Sequence, residues 1–228
     1  VRPGLAVLGG PTPYRRVLEL QRGWAAGLAE GRLEPLLWVG SHPPVITLGQ
    51  RADESELKVS PAELARRGVD LEAIERGGLA TLHAPGQLVA YPIIPVRGLG
   101  VREFVWRLEE AMLRTLAGLG LQARRDQRNP GLWVGDNKIG FLGVAIRRGV
   151  SLHGLALNLN PDLGLFDLIV PCGLGGIGVV SAQSLLGRPI DLARAGQALA
   201  GHLASLLELD LTMISLEEAE ERLAQTGT

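Results

Sequence analysis

The chain has 228 residues, 46% hydrophobic and 21% charged, with a formal net charge of -1. A length of this order supports one hydrophobic core, so one domain over residues 1–228 is expected. The charge balance argues against the broad cationic surface that a nucleic-acid binder needs, and the single cysteine excludes an internal disulfide.

The opening Val1-Arg2-Pro3-Gly4-Leu5-Ala6 lacks a signal-peptide pattern, and no apolar run approaches the roughly 20 residues of a membrane span. A cytoplasmic protein with no membrane partner is therefore expected. Tyr14 to Leu28 carries Val17, Leu18, Trp24 and Leu28 at helical spacing and predicts an amphipathic helix. Pro35 to Val39 and Val45 to Leu48 read as two strands joined by a stiff Ser41-His42-Pro43-Pro44 turn. Ser60-Pro61-Ala62-Glu63 is a helix start, with Ser60 as cap, Pro61 in the first turn and Glu63 completing a capping box. That helix ends near Gly68, and a strand runs on from Val69 to Ile74.

Gln87 to Ile94 reads as a strand stopped by Pro95. Val101 to Leu119 is the strongest helix, with Phe104, Val105, Leu108, Met112, Leu116 and Leu119 forming one apolar stripe. Leu132–Val134, Lys138–Arg147 and Val150–Leu159 are separated by Gly135-Asp136-Asn137 and Arg148-Gly149, which is turn chemistry. They predict a meander of adjacent antiparallel strands. Asp191 to Leu207 and Leu216 to Ala224 predict closing helices. The fold class expected is α/β (α+β): a mixed, largely antiparallel sheet flanked by helices.

Several segments could carry chemistry. Cys172 stands in Leu168-Ile169-Val170-Pro171-Cys172-Gly173, an apolar run that breaks into glycines. That context fits a nucleophile near backbone N–H donors, and equally a buried structural thiol. Lys138 is one of only two lysines in a chain otherwise cationic through arginine. A lysine kept in such a chain suggests a task that needs a removable proton, which arginine cannot do, such as handling the proton of a nearby thiol. Lys58, the other lysine, lies in a charged stretch with no such task. Arg76-Gly77-Gly78-Leu79-Ala80-Thr81-Leu82-His83-Ala84-Pro85-Gly86-Gln87 reads as a ligand-lining loop. His153 reads as a satisfied strand histidine sharing a face with Ser151, Leu155 and Leu157; it and His83 are rival partners for Cys172. Gly173 to Gly178 fits G-x-G-x-x-G, but Pro189 cuts the next segment short and no βαβ unit surrounds it, which argues against dinucleotide binding.

Taken in order, these segments resemble the octanoyltransferases of protein lipoylation, the lipoyl/octanoyl transferase family. The resemblance runs from about Pro35 to Gly187. Its motifs are His42-Pro43-Pro44-Val45-Ile46-Thr47-Leu48-Gly49, Arg76 to Gln87, Lys138-Ile139 with Gly143, His153-Gly154-Leu155-Ala156-Leu157-Asn158 and Pro171-Cys172-Gly173. Leu82 and Ala84 depart from the family's usual Tyr and Gly. The resemblance implies a biotin/lipoate protein ligase-like fold, with Cys172 as thioester-forming nucleophile and Lys138 as its partner. It implies that Arg76 to His83, Phe141, Leu142, Gly143, Gly154, Leu155 and Ala156 line the acyl site. It implies octanoyl-acyl carrier protein as donor. The acceptors it implies are lipoyl domains of 2-oxoacid dehydrogenase complexes and the glycine cleavage H protein. It implies no metal and no cofactor, and no need of ATP, because the donor arrives activated. A cysteine-dependent lipoyl amidotransferase and an ATP-dependent lipoate or biotin ligase are the related alternatives; a non-catalytic binder of lipoyl domains or acyl chains is the unrelated one.

Overall fold

The computed structural model describes residues 1–126, 130–170 and 178–226. In chain order the elements are β1 (Arg2–Pro11), α1 (Tyr14–Ala29), β2 (Leu36–Ser41), β3 (Val45–Leu48), α2 (Pro61–Arg66), β4 (Asp70–Ala73), β5 (Ala80–His83) and β6 (Gln87–Ile93). Next come α3 (Val101–Gly118), β7 (Arg124–Arg125), β8 (Leu132–Val134), β9 (Asn137–Arg147), β10 (Val150–Asn158), β11 (Gly178–Val179), α4 (Ala182–Leu186), α5 (Leu192–Leu207), β12 (Leu209–Met213) and α6 (Leu216–Gln225).

The main sheet runs β12-β1-β2-β6-β10-β9-β8-β7, with β11 also paired to β9. It is mixed: β1 is parallel to β12 and to β2, β11 is parallel to β9, and the other neighbours are antiparallel. A second sheet, β4-β3-β5, is separate. The meander β8-β9-β10 is present, with Leu155 opposite Leu142 and Ala156 opposite Phe141.

Two apolar layers cover the main sheet. On one face, Val17, Leu18 and Trp24 of α1 pack with Trp38, Tyr91, Phe141 and the small sheet. On the other, Phe104, Leu108, Met112 and Leu116 of α3 pack with Leu199 and Leu203 of α5 and with Leu155 and Leu157. These four α3 side chains are fully buried, and each contributes about 1.5–3 kcal/mol of transfer free energy.

The two strands expected on either side of His42-Pro43-Pro44 are β2 and β3, and the short link carries the chain from the main sheet to the small one. Three local expectations are corrected. The glycine-rich stretch is not all loop: Ala80–His83 is a strand paired antiparallel to β3. The Ser60 hydroxyl caps α2 by accepting from Glu63 N at 3.2 Å, but the Glu63 carboxylate binds Arg66 and Arg67 instead of closing a box. His153 leaves the face of Leu155: its φ is 59°, which breaks the two-residue alternation and turns the ring toward Tyr91. The strands β1 and β12, which no local signal announced, pair with each other in parallel at the sheet's edge.

Candidate active site

A cavity of about 450 Å³ opens between the small sheet and the β9–β10 face of the main sheet. Arg76, Gly77, Gly78, Leu79, Ala80, Thr81 and His83 form one wall. Lys138, Phe141, Leu142 and Gly143 of β9, with Gly154, Leu155 and Ala156 of β10, form the other. Leu82 is the one residue of that predicted set which does not line it; fully buried, it belongs to the core cluster behind. Tyr14, Arg51, Tyr91, Val105, Pro130, Val144 and His153 also line the cavity. Sequence reading missed them as lining residues. Only Arg51, close behind the Gly49 motif, and His153, beside Gly154, carried a positional hint.

The two walls are fastened together. Gly77 N donates to the Val144 carbonyl at 3.0 Å. Within the small-sheet wall, the buried Arg76 guanidinium donates to the Thr47 carbonyl at 2.6 Å and from Nη2 to Thr47 Oγ1 at 2.9 Å. A planar, always-charged fork suits this two-point anchoring.

Lys138 is the second residue of β9 and is only 2% exposed. Its Nζ donates to the Pro130 carbonyl at 2.9 Å and lies 5.4 Å from the Trp133 ring and 5.3 Å from the Phe141 ring, within cation–π range. Gly131 makes room for it: a Cβ there would meet the Gly140 carbonyl oxygen at 2.3 Å and Lys138 Cε at 2.9 Å.

Cys172 lies outside the described residues, as do Pro171 and Gly173. The chain on either side of it is fixed. Val170 N donates to the Glu56 carbonyl at 2.8 Å, and Lys58 N to the Leu168 carbonyl at 2.9 Å. On the other side, β11 runs parallel to the start of β9 with Val179 opposite Lys138. Val180 N donates to the Lys138 carbonyl at 3.0 Å. A Cβ on Gly178 would sit 1.8 Å from Asn137 Oδ1, so glycine lets β11 approach β9 with the Asn137 side chain in its present place.

Three imidazoles gather at the Tyr14–Tyr91 end. His42 Nδ1 lies 2.7 Å from the Thr12 carbonyl; a carbonyl only accepts, so Nδ1 carries the proton and Nε2 accepts from Tyr91 Oη at 3.0 Å. Burial pushes His42 down to about 4. His83 is pushed down to about 3, by burial first and then by His42. Its Nδ1 meets Gln87 Oε1 at 2.6 Å. Gln87 Nε2 donates to Asn158 Oδ1 at 2.9 Å, and Asn158 Nδ2 to the Val180 carbonyl at 3.2 Å. This chain of side chains links the cavity wall to the strand leading out of the Cys172 segment. His153 is not the satisfied histidine expected. It is buried with neither ring nitrogen hydrogen-bonded, and Nε2 is 3.7 Å from Glu75 Oε2. Burial lowers its pKa, against the pull of Glu75.

Among the described residues no cluster of His, Cys, Asp or Glu is placed to hold a metal ion, and no helix is long and apolar enough to cross a membrane.

Comparisons with known proteins converge on one family. The lipoyl protein ligase A/B catalytic domain family matches residues 13–204, a wider span than the motifs alone suggested. The octanoyltransferase of Alkaliphilus metalliredigens is 40% identical over 205 residues, 89% of this chain and 94% of its own. That of Desulfotalea psychrophila is 43% identical over 202 residues, 86% of this chain and 91% of its own. Among solved structures, a lipoate-protein ligase A bound with ATP superposes with a TM-score of 0.80 at 22% identity, covering 98% of this chain and 93% of that one.

Proposed function

We propose that this chain, which belongs to the lipoyl protein ligase A/B catalytic-domain family and is an acyltransferase, moves an octanoyl group from octanoyl-acyl carrier protein to a lysine of a lipoyl domain through a Cys172 thioester. The single observation that carries this reading is the pairing of β11 with β9. It ties the strand leading out of the Cys172 segment to Lys138, itself a wall of the cavity. The choice of an octanoyl group is supported by the relatives named octanoyltransferase. A single catalytic domain with a cytoplasmic address goes with the reading.

In the first half-reaction Cys172 Sγ gives its proton to the Lys138 amine and attacks the donor's thioester carbonyl. A carbon–sulfur bond to Cys172 forms and the bond to the carrier's sulfur breaks. The carrier thiolate then takes the proton from Lys138. Exchange between thioesters is nearly isoenergetic, so no further activation is required. In the second half-reaction the acceptor's neutral amine attacks the acyl-enzyme. The amide bond forms, Cys172 leaves as thiolate, and the amine's proton returns to it by way of Lys138. Apolar groups such as Phe141, Leu142 and Leu155 suit the hydrocarbon chain.

The test is transfer to a purified lipoyl domain under two supplies: octanoyl-carrier protein without ATP, and free octanoate with ATP. Octanoylation under the first supply alone is the expected result. Product from the second alone would replace the reading with an ATP-dependent ligase.

A further inference from the structure

Glu56 differs from most carboxylates of this chain, which pair with arginines. Among the described residues no cation pairs with Glu56. It closes a short 3-10 turn, Glu54–Glu56, in the crossing from β3 to α2, and it is half-buried. Its side-chain Oε2 accepts a hydrogen bond from Ala80 N, at the cavity wall. Its main-chain carbonyl accepts from Val170 N at 2.8 Å. The next residue, Leu57, bridges Ile169 in antiparallel fashion, and Lys58 N donates to the Leu168 carbonyl at 2.9 Å. One residue thus holds the wall of the cavity by its side chain and the chain running into Cys172 by its backbone.

We infer that Glu56 is a positioning residue for acyl transfer: it couples the lip of the cavity at Ala80 to the segment that carries Cys172. The inference rests on the proposed Cys172 thioester. A charge-assisted hydrogen bond to a backbone N–H is short and directional, so the carboxylate fixes the distance between the two elements it joins. Acyl capture needs the attacking sulfur and the thioester carbonyl held within a few tenths of an ångström of the productive geometry. Small displacements at such a step are costly in rate. Glu56 acts on chemistry only through the lip and the incoming chain, and takes no part in bond making.

The experiment compares the full-length parent with Glu56→Gln and Glu56→Ala. It reads single-turnover acyl-enzyme formation from octanoyl-carrier protein by intact mass, the pH profile of Cys172 alkylation by iodoacetamide, and the folded fraction. Gln keeps an oxygen that accepts from Ala80 N, and Ala keeps none. Glu56→Ala is expected to acylate about tenfold more slowly or worse, the scale of one lost charge-assisted hydrogen bond. Glu56→Gln is expected to recover most of that rate, with the alkylation profile unmoved in both. Acylation of Glu56→Ala at the parent rate would overturn the inference. So would a loss matched by loss of folded protein. A loss shared by both variants with a shifted alkylation profile would overturn it too, since Glu56 would then act by charge on the thiol. A parent enzyme that forms no adduct would instead overturn the thioester reading beneath it.

Discussion

Val180 donates its amide to the Lys138 carbonyl at 3.0 Å, so the strand leading out of the Cys172 segment is fastened to the backbone of the lysine that lines the cavity. The same Val180 accepts, through its own carbonyl, the end of the His83–Gln87–Asn158 chain. Lysine, cavity wall and the outgoing strand are therefore one hydrogen-bonded unit.

Lys138→Arg tests whether the lysine moves a proton. Arginine keeps the charge and part of the cation–π contact but does not deprotonate at ordinary pH. Acyl-enzyme formation in a single turnover is expected to fall by about 10²–10⁴, the usual range for a lost general acid–base. A variant within a few-fold of the parent would assign Lys138 a purely electrostatic part.

Gly178→Ala tests the approach of β11 to β9. The added methyl would sit 1.8 Å from Asn137 Oδ1, so the Asn137 side chain must leave its place beside β11. Acyl-enzyme formation should drop about tenfold, equivalent to about 1.4 kcal/mol. Adding Asn137→Ala removes the obstructing oxygen and should restore most of the rate. If the double variant is no better than the single one, the collision is not the cause.

Thr47→Val removes the hydroxyl that accepts from Arg76 Nε at 3.2 Å and from Nη2 at 2.9 Å. The buried guanidinium keeps its bond to the Thr47 carbonyl. Urea unfolding should show a loss of roughly 1.5–3 kcal/mol, as for hydrogen bonds to a charged group. Unchanged stability would mean that Arg76 finds another acceptor.

The histidines make stability depend on pH. His42 is held down to about 4 and His83 to about 3, both below the ordinary value near 6.5. The unfolded chain takes up these protons as pH falls through 6.5, and the folded chain does not. The contribution is therefore fully present above 6.5 and declines as pH falls toward 4 and then 3. Each histidine should cost about 1.4 kcal/mol per pH unit in that window. Denaturant titrations at pH 7, 6 and 5 read the slope, and His83→Asn should make it shallower. A flat profile across that range would contradict the neutral, buried imidazoles.

Much of the fold was legible because periodicity follows burial. The α3 stripe and the β8–β9–β10 meander lie where spacing and turn residues put them. The strand β1 was not legible: Pro3, Gly4, Gly9 and Gly10 suppress any local strand signal, and its strand state is imposed by parallel neighbours on both sides. His153 was misjudged for a related reason. Alternation assumes an unbroken strand, and a left-handed residue inside β10 reverses the face without leaving a trace in residue type. At the site, Arg76 and Lys138 could be singled out by composition and glycine context. Tyr14, Tyr91 and Val105 could not, since an aromatic or aliphatic residue in an apolar run reads as core whether it faces a cavity or not. Glu56 carried no signal, because its importance lies in what its backbone and side chain join.

The most direct test of the central claim is intact-mass analysis of the parent enzyme and Cys172→Ser after incubation with octanoyl-acyl carrier protein and no acceptor. The expected result is a gain of one octanoyl group on the parent, mapped to Cys172, released by a lipoyl domain and absent from Cys172→Ser. Transfer to the lipoyl domain by Cys172→Ser at the parent's rate, or an adduct mapped to another residue, would contradict it.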